Sequence, residues 1–113
     1  MLLAHMSRSV RDFGMALERE NYKPRIIVVD RGFVFVALCP DLTGVALHYE
    51  CINSRCIRTW GTSEGLAQLI KGPTESTVFD AVIERQVIPV RAILFTIDVD
   101  EESWKNIFPI GKK

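Results

Sequence analysis

The chain has 113 residues, and its 14 Lys and Arg balance 14 Asp and Glu. This length fits one domain, and a composition of 48% hydrophobic and 25% charged residues excludes disordered, collagen-like and coiled-coil chains. The formal net charge of zero lacks the basic excess of a dedicated nucleic-acid-binding domain, and no apolar run approaches the ~20 residues of a membrane span.

The N-terminal part of the chain is predicted to be a helical extension. Apolar side chains recur there every three or four residues, at Met6, Val10, Phe13 and Leu17. This spacing predicts a helix over about 9–21 with one apolar stripe, and Pro24 disfavours helical backbone immediately before it. We therefore divide the chain into an N-terminal helical extension, 1–24, and a single α+β domain, 25–113.

The α+β domain opens with a predicted β-hairpin. Two apolar runs, 26–29 and 33–38, flank a short segment that contains Gly32. Because successive positions in both runs are apolar, both faces of these strands should be covered. A domain of this size has few helices for that purpose, so we expect a homo-oligomer, most simply a closed dimer; otherwise the N-terminal helix supplies the second cover.

A second hairpin is predicted from residues 44–51 and 55–60, with its turn at Asn53 and Ser54. Such a turn would place Cys51 opposite Cys56, so a cross-strand disulfide is one interpretation. Reduced cysteines in a cytosolic protein are the favoured one. With three cysteines, two histidines and no paired spacing, the chain is not expected to hold a zinc ion.

A helix is predicted over 63–71. Thr62 or Ser63 is the predicted N-cap, and Leu66, Leu69 and Ile70 form an apolar face. Gly72 supplies the left-handed exit from the helix, and Pro73 prevents its continuation.

Farther along the chain, residues 87–88 and 92–99 are predicted strands, with Pro89 at an edge or a bend. Asp100 is the predicted cap of a final helical turn, which Pro109 ends. The predicted fold is α+β, a mainly antiparallel sheet of five or six short strands with two or three short helices.

Several ordered segments carry a resemblance to a family. They are IRTWGTSEGLAQL at 57–69, GPT at 72–74, TVFD at 77–80 and PVRAI at 89–93, followed by Trp104. Together with the opening RGFVFV strand, this order resembles a family of small tailed-phage and prophage proteins that has no assigned activity. Phe79 stands where leucine is usual in that family. The resemblance implies a phage or prophage protein in the cytoplasm of a bacterial host, and it supplies no catalytic residues.

The turn before the predicted 63–71 helix is the candidate ligand site, formed by Arg58, Trp60, Gly61, Thr62, Ser63 and Gly65. A helix N-terminus presents free N–H groups and partial positive charge, which suit a phosphate or carboxylate. Arg58 lies two residues before Trp60, on the same strand face, and is chosen over Arg55 as the cation that reaches the ligand. The alternative is a capped helix with Trp60 in the core.

Two further polar clusters have structural interpretations. The carboxylates Asp98, Asp100, Glu101 and Glu102 lack the spacing of a calcium-binding loop and are typical of a solvated helix start. The hydroxyls over 74–77, near Asp80, have no histidine or lysine base beside them in sequence and are typical of a turn. We therefore predict no catalytic residue, no metal and no cofactor, and no enzyme.

These observations favour a small phage or prophage accessory protein that binds a partner. It would act as a host-defence antagonist, either by engaging a host protein or by sequestering an anionic, nucleotide-like small molecule. The alternative is a virion or assembly component, in which the apolar faces make lattice contacts. A third possibility is a non-enzymatic interaction module of another kind. The start of the chain lacks the basic and apolar regions of a signal peptide, so we expect no secretion.

Overall fold

A computed structural model describes residues 22–41 and 46–108, and the predicted 9–21 helix lies outside them. The strands are β1 (Lys23–Val29), β2 (Val34–Cys39), β3 (His48–Thr59), β4 (Val78–Phe79), β5 (Ile83–Pro89) and β6 (Ile93–Asp98). One α-helix, α1 (Glu101–Trp104), and three 3-10 turns at Asp30–Gly32, Leu66–Lys71 and Val90–Ala92 complete the described elements.

All the strands belong to one antiparallel sheet. Its order is β6-β1-β2-β3, and both β4 and β5 pair with the far edge of β3. The predicted first hairpin is confirmed, with Ile26 opposite Val36 and a tight turn in which Arg31 and Gly32 have positive φ. The predicted α+β class with a mainly antiparallel sheet is also confirmed for the described residues.

The predicted second hairpin is wrong, because β3 runs through Asn53 as a single strand of 12 residues. Asn53 has a φ of 53°, and between the pairs Leu38–Ile52 and Val36–Arg55 β3 holds one residue more than β2. This is a β-bulge, and asparagine tolerates its left-handed backbone as readily as that of a turn. Strands on both edges of β3 hold the chain extended there.

The bulge changes which face each side chain occupies. Cys51 and Ile57 are six residues apart, which would put them on the same face of a regular strand. Cys51 instead belongs to one apolar cluster and Ile57 to the other, on the opposite face. The inserted residue thus exchanges the faces of the side chains that follow it in β3.

Both faces of the first hairpin are buried within the chain. On one face Ile26 and Val36 pack against Leu69, Trp104 and Phe108, from the two segments that follow β3 and β6. On the other, alternate residues of β1 and β2 form a second cluster with residues of β3 and β5, namely Ile27, Val29, Ala37, Cys39, Tyr49, Cys51 and Ile88.

The second face is enclosed because the sheet curls. β5 and β6 lie four strand spacings apart in the sheet order, about 19 Å if it were flat, but only Val90–Ala92 connects them. From Pro89 to Ile93 the chain takes four residue steps, which span at most about 15 Å when extended and less in a 3-10 turn. Val90 and Ala92 pack against the second cluster, on the inside of the curl. The doubly apolar hairpin is therefore covered by its own chain and gives no reason to expect a second subunit.

The segment predicted as a 63–71 helix is a 3-10 helix that begins at Leu66. Neither Thr62 nor Ser63 caps it, because Gly65 precedes it with a φ of 94° and redirects the chain. The Gln68 side-chain oxygen accepts the N–H groups of Ser63 (3.1 Å) and Glu64 (2.9 Å) instead. The glycine exit is confirmed, since Gly72 has a φ of 111° and donates to the Leu69 carbonyl.

Leu69 and Leu66 should differ in their contribution to stability. Leu69 is fully buried, whereas Leu66 is half-buried at the rim of the same cluster. We expect Leu69→Ala to lower the free energy of unfolding by about 2–5 kcal/mol, and Leu66→Ala by clearly less. Urea denaturation measures both; a loss below about 1 kcal/mol for Leu69→Ala would contradict this packing.

The chain after β6 follows its prediction. Asp100 accepts the Ser103 N–H at 3.1 Å and caps α1, which is therefore confirmed as a short helix start. Trp104 at its end is fully buried, and its indole N–H donates to the Leu69 carbonyl at 2.8 Å. This bond fastens the 3-10 helix to α1. Pro109 lies outside the described residues.

Candidate functional site

Several of the groups predicted to hold an anion have partners within the chain. The Arg58 Nε donates to Asp80 Oδ1 at 2.7 Å, and Gln68 takes the N–H groups of Ser63 and Glu64. The hydrogen bond that Arg58 donates to Asp80 and the negative charge of Asp80 raise the pKa of Arg58, whose side chain is 68% exposed. Trp60 is 39% exposed and so is not the core residue of the alternative interpretation. The structure brings these residues together, but Arg58 Nε and the N–H groups of Ser63 and Glu64 already have acceptors within the chain.

Gly61 is needed for contact with the chain itself. A Cβ at Gly61 would lie 2.3 Å from the Ser76 carbonyl carbon, whereas one at Gly65 would meet nothing within 4 Å. Thr74 Oγ1 donates to the Gly61 carbonyl at 2.6 Å, and Thr77 Oγ1 donates to the Trp60 carbonyl at 2.7 Å. The close approach expected of a ligand is thus made by the 74–77 turn.

Both arginines of β3 meet the end of β4. Arg55 Nε donates to the Asp80 carbonyl at 2.9 Å, and its guanidinium lies 5.0 Å from the centre of the Phe79 ring. Phe79 in turn packs edge-on against Trp104. Arg55 therefore covers Phe79, which packs on the cluster with Trp104, and Arg58 binds the side chain of Asp80.

The remaining polar clusters are structural. Asp98 accepts from Arg25, Asp100 caps α1, and Glu102 pairs with Lys105. Within the 74–77 turn, Thr77 and Thr74 side chains accept backbone N–H groups. Among the described residues, no three His, Cys, Asp or Glu side chains are placed to hold a metal ion.

Arg25 is the buried charge of the described structure. Its guanidinium donates to Asp98 and Asp41 at 2.8 and 2.7 Å and to the carbonyls of Cys39 and Pro40 at 2.9 Å. Tyr49 donates its hydroxyl to the same Pro40 carbonyl at 2.6 Å. A buried cation with so many acceptors fixes the ends of β1, β2 and β6 and is not available to a ligand.

The cysteines are free thiols, and their arrangement differs from the predicted one. Cys51 contacts Cys39 of β2, with the sulfur atoms 3.8 Å apart, and Cys56 lies farther along the same strand as Cys51. The hydrogen bond with Cys39 and burial raise the pKa of the Cys51 thiol above its ordinary value. Burial likewise raises the pKa of Tyr49.

These shifts predict a loss of stability at high pH. The folded chain keeps protons on Cys51 and Tyr49 that the unfolded chain releases above their ordinary pKa values of 9.0 and 10.0. The free energy of unfolding should fall above pH 9, by up to about 1.4 kcal/mol per pH unit for each group. Denaturation at stepped pH checks this, and Cys51→Ala should flatten the slope between pH 9 and 10; an unchanged slope would contradict it.

An apolar groove lies between β5 and the tip of the first hairpin. It has a volume of about 300 Å³ and is walled by described residues, including Phe33, Phe35, Val87, Pro89 and Ala92. The Phe33 and Phe35 rings stack with their centres 6.3 Å apart. Phe33 is 54% exposed and Val87 is 42% exposed. The sequence reasoning missed this groove, and the only signal was an aromatic residue directly after the Gly32 turn.

No family model, curated protein or solved structure matches the chain. None of the helices in the described part of the chain is long and apolar enough to cross a lipid bilayer.

Proposed function

We propose that this is a small phage or prophage accessory protein, without enzymatic activity, that binds an apolar segment of a host protein in the groove beside Phe33. The observation that carries the proposal is the pair of stacked phenylalanines, one of them more than half exposed, at the tip of a buried hairpin. Exposed apolar patches bounded by polar residues are typical of interaction sites. Asp30, Arg31 and Gln86 form the polar boundary here.

The groove suits one or two amino-acid side chains. Its volume of about 300 Å³ is at the lower limit of small-molecule pockets, and its surface is mainly apolar. A phosphate-bearing molecule would find little to bind in it, because Arg31 is the one basic residue among the described residues of its wall. An apolar side chain of another protein would instead bury the Phe33 ring that water now contacts.

The backbone next to the groove suits an extended partner. β5 pairs with β3 along one edge, and the described residues place no strand against its other edge. Gln86, Val87 and Ile88 of β5 line the groove. A strand added to this edge would direct every second side chain toward Phe33, the mode by which many domains bind extended peptides.

Sequestration of a nucleotide-like ligand at residues 58–65, here called the Trp60 turn, has weaker support. Arg58 is paired with Asp80, and the nearby N–H groups are bonded to Gln68. A nucleotide would have to displace both partners. We therefore expect ATP, GTP and cyclic dinucleotides to leave the melting temperature unchanged, for the wild type and for Arg58→Ala alike.

Site-specific photocrosslinking tests the proposal. A photoreactive amino acid is placed at Phe33, or at the control Val82, which is 49% exposed and outside the groove. A host protein captured from position 33 alone is then purified, and its affinity is measured by calorimetry. We expect Phe33→Asp to weaken binding by about tenfold or more, with Val82→Asp and Arg58→Ala binding as the wild type does.

Three outcomes would contradict the proposal. Capture of the same proteins from positions 33 and 82, or equal affinity for Phe33→Asp and the wild type, would exclude the groove as the binding site. Nucleotide-induced stabilisation lost in Arg58→Ala would favour sequestration at the Trp60 turn. Capture of a virion protein alone would favour the assembly component.

A further inference from the structure

The outer edge of β6 lacks the charge and the proline that often protect an edge strand, although its pairing with β1 has a bulge at Leu94. β6 pairs with β1 along one side, and the described residues provide no backbone partner along the other. Residues 93–97 include no charged residue and no proline. Natural edge strands carry such residues, or are very short, because an open edge pairs readily with another chain.

The opposite edge of the sheet differs in this respect. β5 carries Glu84 and Arg85 and ends at Pro89, and β4 has two residues. Charge, proline and short length disfavour pairing along the full length of this edge and leave only the uncharged residues 86–88 of β5 for a short extended segment. β6 is therefore the edge of the described sheet that is suited to pairing with a second copy.

The side chains of β6 are mostly apolar. Leu94 is 63% exposed and Phe95 is 50% exposed, and Leu94 is the extra residue of a bulge between Phe95 and Ile93. Burying these two side chains would remove apolar surface from water.

We propose that β6 pairs antiparallel with β6 of a second copy and joins the two sheets in a symmetric dimer. This edge is complementary to itself when antiparallel, since the end near Arg91 then lies beside the end carrying Asp98. The Asp98 side chain is 83% exposed, so it can meet a cation besides Arg25. A two-fold axis at Phe95 would place the two Phe95 rings side by side, a stabilising cross-strand pair.

The proposed dimer is independent of the partner-binding groove. β6 begins after the last residue that lines the groove, Ala92, so the two surfaces can be changed separately. It also differs from a dimer that would cover the first hairpin, which is already buried within the chain.

Sedimentation velocity of the full chain, from about 1 to about 200 µM, tests the proposal. We expect a concentration-dependent dimer, and a dissociation constant raised at least about tenfold by Phe95→Lys. Leu94→Lys provides a second variant should the first fail to fold, and Val82→Lys, with similar exposure but off the edge, should dimerise as the wild type does.

Hydrogen exchange identifies the edge that pairs. Protection of the β6 amides should increase with protein concentration in the wild type and not in Phe95→Lys. A wild type that remains monomeric at the highest concentration would overturn the proposal, as would a dimer that Phe95→Lys and Leu94→Lys leave intact. Protection of the β6 amides in a monomer, at every concentration, would show that another part of the same chain pairs with β6 and would also overturn the proposal.

Discussion

Trp104→Ala should lower the free energy of unfolding by about 3–5 kcal/mol, a large part of the total stability of a domain of this size. Trp104 is fully buried, and its ring lies among Phe79, Phe108 and Leu69. Its indole N–H also donates the hydrogen bond that joins α1 to the 3-10 helix Leu66–Lys71. Removing the side chain leaves a cavity and takes away one of the two donors to the Leu69 carbonyl, which keeps its bond from the Gly72 N–H. Urea denaturation followed by far-ultraviolet circular dichroism measures the loss.

Two variants separate the contributions of Trp104. Trp104→Phe keeps an aromatic ring but not the donor, so its cost should be smaller than that of Trp104→Ala. Trp60→Ala removes the other tryptophan, which is 39% exposed, and should cost less than about 1 kcal/mol. Equal losses for Trp104→Ala and Trp60→Ala would contradict the described packing.

Gly61→Ala should be the most costly glycine substitution among the described residues, at about 2–5 kcal/mol. Gly61 has a φ of 71°, and an added Cβ would overlap the backbone of Ser76 at 2.3 Å. Backbone cannot move aside as a flexible side chain can, and Thr74 and Thr77 hold this contact through their hydroxyls. The same urea denaturation measures the loss.

Gly65→Ala is the matched control for Gly61→Ala. Gly65 has a φ of 94°, but an added Cβ would meet nothing within 4 Å. Its substitution should therefore cost only the backbone strain, about 1–2 kcal/mol. If Gly65→Ala proved as costly as Gly61→Ala, the 74–77 turn would not lie against Gly61 as described.

Several elements with local signals were predicted well, but the 63–71 helix was not, since neither Thr62 nor Ser63 caps it and it is a 3-10 helix from Leu66. The Gly32 turn, the Asp100 cap and the bend at Pro89 each depend on residues within a few positions of one another. Asn53 was misassigned because a turn and a bulge use the same left-handed backbone. The pairing of β2 and β5 with the two edges of β3 makes Asn53 a bulge rather than a turn, and β5 is remote from Asn53 in sequence.

The candidate site was predicted less well for a related reason. The Trp60 turn was recognised as a group, but its partners lie far along the chain, with Asp80 22 positions after Arg58. The apolar groove could not be derived from the first hairpin, because its composition indicates burial on both faces. That Phe33 is exposed and Phe35 is half-buried follows from the pairing of remote strands in the sheet.

The central claim is that this chain binds its partner in the apolar groove rather than at the Trp60 turn. Amide chemical shifts of the isotope-labelled full chain, titrated separately with a capped peptide of alternating leucine and threonine and with ATP, test it most directly. We expect the peptide to shift Asp30, Phe33 and Val87, and ATP to shift nothing. Peptide-induced shifts confined to residues 58–65, or ATP-induced shifts there that Arg58→Ala abolishes, would contradict the claim.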